Sequence, residues 1–161
     1  MIAAVVASRR DDISFVVLLA APGVPGAELI LRQNERIFTA EGILNEHKQA
    51  LLKLLNQLFI ILTSDMTEGE RQQKASEIIT EIVRKKFEID DNSVSQKNKK
   101  QIVQGRVEEA LTPWMRYFLA FDPGPALEAI RVPVLALNGD LDVQVDAEQN
   151  LIAIAEALEG R

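Results

Sequence analysis

Cysteine is missing from all 161 residues. Its absence excludes disulfides, zinc-thiolate sites and thiol catalysis together, and it leaves the compartment open, because a cysteine-free chain folds on either side of a membrane. Histidine is reduced to one residue, His47. Basic charge is in deficit, with 18 Lys and Arg against 24 Asp and Glu and a net charge of -6. That balance opposes nucleic-acid binding, which works by neutralising phosphates with cations and releasing counterions. The one basic stretch, Lys97, Lys99 and Lys100 after Lys85 and Lys86, is interspersed with Glu81, Glu88, Asp90 and Asp91 and reads as a solvated connection. No apolar run reaches the roughly 20 residues of a membrane span. The opening MIAAVVASRRDD has an apolar stretch but no basic residue before it and no cleavage-like segment after it, so it does not read as a signal peptide, and the localisation stays undetermined.

What is present is the composition of a globular domain, 47% hydrophobic and 26% charged. A chain of this length buries about two thirds of the surface its unfolded form exposes, so folding requires neither metal nor cross-link. Residues 1–8 are small and apolar and close on Arg9 and Arg10, where cations favour a helix C-terminus. Ile13 to Ala20, ISFVVLLA, is short, β-branched and apolar throughout, the pattern of a strand buried on both faces of a parallel sheet, and it stops at Ala21-Pro22-Gly23. A second such run, Val132 to Leu137, carries Pro133 near its start, where a missing N–H is tolerated, and ends at Asn138-Gly139-Asp140.

Between the strands the period becomes helical. Ile43, Leu44, His47, Leu51, Leu54, Leu55, Leu58, Phe59 and Leu62 recur three or four apart and predict one long amphipathic helix from about Ile37. Thr67 and Glu70 form a capping-box pair ahead of a second helix through Ala75, Ile79, Val83 and Phe87, which Asp91-Asn92-Ser93 interrupts. A shorter helix around Ile102 to Leu111 follows. Thr112-Pro113 then opens WMRYFLAF, and Asp122-Pro123-Gly124-Pro125 closes it before a brief helix at Ala126 to Ile130. Asp146 caps a last helix, with Gln149 completing the cap and Gly160 as its stop.

A strand that ends in Gly-x-x-Asp and leads into a helix sets a carboxylate at the carboxyl edge of a parallel sheet, where open α/β sheets bind ligands. Asp142 has that position. The stretch IRVPVLALNGDLDVQVDAEQNL resembles the acid-strand segment of the α/β-hydrolases, above all the branch of serine aminopeptidases, acyl-thioester hydrolases and dienelactone-hydrolase relatives. The resemblance implies a partial α/β-hydrolase fold of few parallel strands, with core segments 1–36 and 122–161 and a large helical cap inserted over 37–121. It implies that Asp142 is the triad acid, that Asp140 is a loop residue, and that the parent enzyme hydrolyses an ester, thioester or amide through a serine acyl-enzyme. The aromatic segment Trp114, Tyr117, Phe118 and Phe121 would overhang the site, with Trp114 and Phe118 as the substrate-facing wall. No cofactor is implied.

The family's nucleophile motif Gly-x-Ser-x-Gly occurs nowhere in the chain. MIAAVVASRR resembles the small apolar helix that follows it, so the serine is expected a few residues before Met1 and the histidine beyond Arg161, and these 161 residues alone are expected to be inactive. His47 falls on a helix stripe and reads as a partly buried structural residue. Ser64, Ser76, Ser93 and Ser95 lie in helices or polar connections with no base nearby. Asp140, Asp142 and Asp146 do not form a calcium loop, because Val145 and Leu151 stand where glycine and glutamate are required. The rival reading is a non-catalytic helical module for protein interaction. Sheet edges without neighbours predict a homo-oligomer.

Overall fold

The structure is a computed structural model and describes residues 2–89 and 96–159. The sequence break at Asp91-Asn92-Ser93, the serines Ser93 and Ser95 and the stop at Gly160 lie outside the described residues. The fold is mostly helical, in the order α1 (Ile2–Ala7), β1 (Val16–Leu19), α2 (Gly26–Ala40), α3 (Asn45–Thr63), α4 (Glu68–Ile89), α5 (Gln96–Ala110), α6 (Pro113–Ala120), α7 (Gly124–Glu128), β2 (Val134–Leu137) and α8 (Ala147–Glu159). No helix among the described residues is long and apolar enough to cross a membrane. The chain divides into two compact units, Met1–Gln33 with Phe121–Arg161, and Asn34–Ala120.

In the first unit β1 and β2 pair in parallel, Val16 opposite Val134 through Leu19 opposite Leu137. The ladder continues past both ends, because the Val16 N–H donates to the Pro133 carbonyl and the Ala20 N–H to that of Leu137, each at 2.9 Å. One face of this pair forms the core. Val16 and Leu18 are buried with Ala4 and Ala7 of α1, Leu127 of α7, Ile130, and Ile154 of α8, and Val134 and Ala136 pack against them. The other face is open, and this corrects the expectation of two-sided burial: Val17, Leu19, Leu135 and Leu137, with Phe15 just ahead of β1, are exposed. Alternate side chains of a strand point to opposite faces, so an all-apolar run covered on one side displays its other set to solvent.

The second unit is helical, α3 packing on α4 and α6, and α4 on α5. The single helix expected from Ile37 to Leu62 is two helices. Gly42 takes φ 73°, its N–H donates to the Thr39 carbonyl at 3.1 Å, and the Ile43 N–H donates to the Phe38 carbonyl at 2.9 Å. This pair of bonds is the Schellman ending, which glycine favours because a Cβ resists positive φ. The helix it terminates, α2, begins directly after Pro25, whose carbonyl takes the Leu29 N–H, and was not expected from the apolar pattern. α3 has no basic residue in its last turn. The guanidinium groups of neighbouring helices serve instead: Arg116 donates to the Leu62 carbonyl at 3.0 Å, and Arg71 donates to those of Ser64 at 3.0 Å and Met66 at 2.6 Å. Cations here also oppose the negative end of the helix dipole.

The capping box at α4 forms as its spacing predicts. The Thr67 N–H and hydroxyl both donate to Glu70 Oε2, at 3.1 and 2.6 Å, and the Glu70 N–H returns to Thr67 Oγ1 at 3.4 Å. These bonds hold the Glu70 carboxyl below its ordinary value, the Thr67 hydroxyl contributing most. A carboxyl depressed in the folded state stabilises above its unfolded pKa, and that stabilisation disappears as pH falls through the depressed value. Acidification below about pH 4.5 is therefore expected to weaken the start of α4, with 4.5 the group's ordinary value. Glu70→Gln keeps the cap without its charge. The acid-induced drop in thermal stability should be smaller in that variant when melts at pH 3 and pH 6, roughly one unit or more to either side, are compared by circular dichroism.

Candidate functional site

The carboxyl edge of the sheet carries two loops. Ala20 to Pro25 follows β1, and Asn138 to Asp146 follows β2. The first opens on Ala20, whose φ of 45° is the one positive value at a non-glycine residue among the described residues. Left-handed backbone at alanine is strained, and such positions concentrate at functional loops. The second loop is closed by its own polar groups. Asn138 Nδ2 donates to the Val145 carbonyl at 2.8 Å and to that of Gly139 at 3.1 Å, and the Asp142 N–H donates to the Gly139 carbonyl at 3.2 Å.

Asp142 stands on this loop, half-buried, five residues after the end of β2 and outside α8. Its Oδ1 accepts the N–H groups of Gln144 at 2.8 Å and Val145 at 3.0 Å. Two backbone donors on one oxygen fix the plane of the carboxylate, and charge-assisted bonds of this kind are roughly twice as strong as neutral ones. Asp140 is exposed in the turn before it.

The loop is tied down by α8. Asp146 is 2% exposed, its Oδ1 accepts the Gln149 N–H at 2.8 Å as an N-cap, and Arg32 Nε lies 3.6 Å from its Oδ2. The Gln149 side chain does not complete a capping box. It donates to Glu28 Oε1 at 3.1 Å, joining α8 to α2. One turn on, Asn150 is fully buried; its Oδ1 accepts the Gly23 N–H at 2.8 Å and its Nδ2 donates to the Asp146 carbonyl at 2.9 Å. A single amide thus joins the loop after β1 to the start of the helix that follows Asp142. Gly23 must be glycine, because a Cβ there would stand 2.4 Å from the Asn150 carbonyl oxygen.

The remaining residues expected at a site belong to other elements. Trp114 and Phe118 lie on α6, in the helical unit rather than in the unit that holds Asp142. Trp114 stacks obliquely with Tyr117 and Phe118 at centroid distances of 6.3 and 6.1 Å. Trp114 and Tyr117 are more than half exposed, while Phe118 is half-buried. His47 is exposed in the first turn of α3, which corrects its reading as a partly buried residue. The apolar stripe that includes it is buried only from Leu51 onward, at Leu51, Leu58, Phe59 and Leu62. Ser64 and Ser76 are half-buried, and the Ser64 hydroxyl is turned back on the Ile61 carbonyl at 2.7 Å.

Sequence reading missed Gly23, Arg32 and Asn150. A signal for Asn150 existed: it lies four residues from both Asp146 and Ile154, so an amide interrupts a stripe that is otherwise cap and core. Among the described residues no three His, Asp or Glu side chains group closely enough to hold a metal ion. No family model matches the chain, and searches of curated proteins and of solved structures gave no match.

Proposed function

We propose that this chain is the acid-bearing and cap-bearing part of a serine hydrolase of the α/β-hydrolase type, acting on an ester, thioester or amide, with Asp142 as the acid. The observation that carries this reading is the carboxylate itself. It sits on a short loop beyond a parallel strand, with Oδ1 pinned by the N–H groups of Gln144 and Val145. A carboxylate so held is suited to accept the ring N–H of a histidine, fix its tautomer and stabilise the imidazolium that forms as a serine attacks. Asn150, Gly23 and Asp146 hold the loop rather than take part in chemistry.

The nucleophile and the imidazole of this reaction come from polypeptide other than these residues, since the chain contains no Gly-x-Ser-x-Gly and its single histidine is on α3. On this reading the helices between the strands are the cap, and Trp114 and Phe118 of α6 are its aromatic side chains suited to an acyl or aryl group. No cofactor enters the reaction. The decisive observation is the coding DNA in the same frame on both sides of the chain. A nucleophile elbow just upstream of Met1 together with a histidine loop downstream of Arg161 supports the hydrolase; unrelated sequence on both sides sinks it.

The second reading, a helical interaction module, draws on the exposed Trp114 and Tyr117, since aromatic side chains are enriched where proteins meet. It predicts that the isolated chain captures a partner and that Trp114→Ala abolishes capture while Asp142→Asn does not.

A further inference from the structure

We propose that Asn138-Gly139 is a site of spontaneous deamidation and that this change unlatches the loop carrying Asp142. Asparagine is among the chemically labile side chains, open to attack by the backbone nitrogen of the residue that follows it. Of the seven asparagines only Asn138 precedes a glycine, where no side chain shields that nitrogen. The surroundings are open as well: Gly139 is exposed, and a Cβ placed on it would meet nothing beyond its chain neighbours nearer than the Asp142 Cβ at 3.9 Å. The Gly139 N–H donates to no group among the described residues. The Asn138 amide already lies over this residue, since its Nδ2, one bond from the carbon to be attacked, donates to the Gly139 carbonyl at 3.1 Å.

The step needs only base and water. The Gly139 nitrogen gives up its proton and bonds to Asn138 Cγ; the Cγ–Nδ2 bond breaks, Nδ2 takes up a proton and leaves as ammonia, and a succinimide ring joins the two residues. Water then opens the ring. Addition at Cγ gives aspartate, and addition at the Asn138 carbonyl carbon gives isoaspartate, whose main chain is longer by the Cβ carbon. Either way the loop loses the donor that closes it, the bond from Nδ2 to the Val145 carbonyl at 2.8 Å. In the aspartate product an anion faces the Val145 and Gly139 carbonyl oxygens and joins the charges of Asp140 and Asp142, so attraction is replaced by repulsion. The bond to Val145 is also the brake. While it holds, the amide is not free to turn its carbon toward the Gly139 nitrogen, and the rate follows the fraction of time the loop is open. The loop is a one-way timer, slow while closed and unable to close again once changed.

Held folded in mildly alkaline buffer, the chain should gain an acidic form on isoelectric focusing. Fragmentation spectra of the tryptic peptide 132–161 should place the change at position 138, and methyltransferase labelling should detect isoaspartate there. Gly139→Ala has room for its methyl group and keeps the Asn138 bonds, so it should fold as before and deamidate on the order of tenfold more slowly. Asp142→Ala removes the acceptor of the Gln144 and Val145 N–H groups, opens the loop and should speed the reaction roughly tenfold. Asn138→Asp installs the product: the amides of 142–146 should exchange hydrogen roughly tenfold faster, while those of β1 keep their rates. An Asn138 that stays intact in the folded chain over the time in which the urea-unfolded chain converts overturns the proposal. So does modification that gathers at another asparagine, or unchanged exchange in Asn138→Asp, which would mean that the loop stays latched without its donor. None of these outcomes bears on whether Asp142 serves a histidine, so this proposal and the hydrolase reading fail separately.

Discussion

Gly23→Ala is expected to lower the melting temperature by about 10 °C, corresponding to a loss on the order of 3 kcal/mol, although it adds a single methyl group. The added carbon would be 2.4 Å from the Asn150 carbonyl oxygen and 3.1 Å from the Ile154 backbone nitrogen. Both are main-chain atoms of α8, so no rotamer change relieves the overlap. The helix has to move, and with it Ile154, whose side chain is part of the core beneath the sheet. The shift also breaks the Gly23 N–H bond to Asn150, which is buried. A milder version comes from the other partner. Asn150→Leu keeps the branching of the side chain and orphans the Gly23 N–H, at about 1–3 kcal/mol. Since both variants remove the same bond, the double variant should cost much less than the sum of the two, as contacting residues do in a mutant cycle. Thermal melts of the four proteins test this. Additive losses would mean that Gly23 and Asn150 stabilise the fold independently and that the loop is held by something else.

The fold was legible in the sequence to the extent that a local signal was complete in itself. The Thr67 and Glu70 spacing contains both halves of its hydrogen-bond pattern, and Thr112 ahead of Pro113 marks an N-cap; both form, the Met115 N–H donating to Thr112 Oγ1 at 3.2 Å. The two apolar runs carried enough β-branched residues to mark β1 and β2, though the hydrogen-bonded strands are shorter than the runs, four residues each. The break at Gly42 was legible in principle and overridden, because apolar residues on both sides of it kept a helical spacing that hid two axes behind one period. α2 was hidden for the opposite reason, since Arg32, Gln33, Asn34, Glu35 and Arg36 dilute its apolar face.

Other features depended on what lies across space. An apolar strand reports which surroundings it tolerates and not what is present to cover it, so the exposure of Leu19 and Leu137 had no signature in the sequence. The same limit applies to His47, which shares the spacing of a buried stripe but precedes the point where burial begins. At the site, the loop carboxylate was legible because strand, turn and helix follow one another along the chain. Its support was not: the bond from Gly23 to Asn150 spans 127 residues, and the contact between Gln149 and Glu28 spans 121. Placing Asp142 required one segment, whereas explaining why its loop is rigid required two segments from opposite ends of the chain.

The largest effect belongs to that carboxylate. On the hydrolase reading, in a chain that also carries the nucleophile and the histidine which that reading requires, Asp142→Asn is expected to reduce kcat for a p-nitrophenyl ester on the order of ten-thousandfold. The substitution is chosen for what it preserves. An asparagine oxygen can still accept the N–H groups of Gln144 and Val145, so the loop that Asp142 now closes should remain folded and the melting temperature should shift little. What disappears, on the hydrolase reading, is the negative charge and the acceptor offered to the imidazole. The amide group turns a donor toward a ring nitrogen that must itself donate, which selects the wrong tautomer, and no anion then balances the imidazolium. A residue that merely shaped the turn would show the opposite pattern, a loss of stability in Asp142→Ala and near-normal turnover in Asp142→Asn. Asp140→Asn is the internal control: Asp140 is exposed in the same turn, carries the same charge and should leave kcat within a factor of about three. Comparable losses from both aspartates would point to the general field of an acidic loop and would remove Asp142 from the triad.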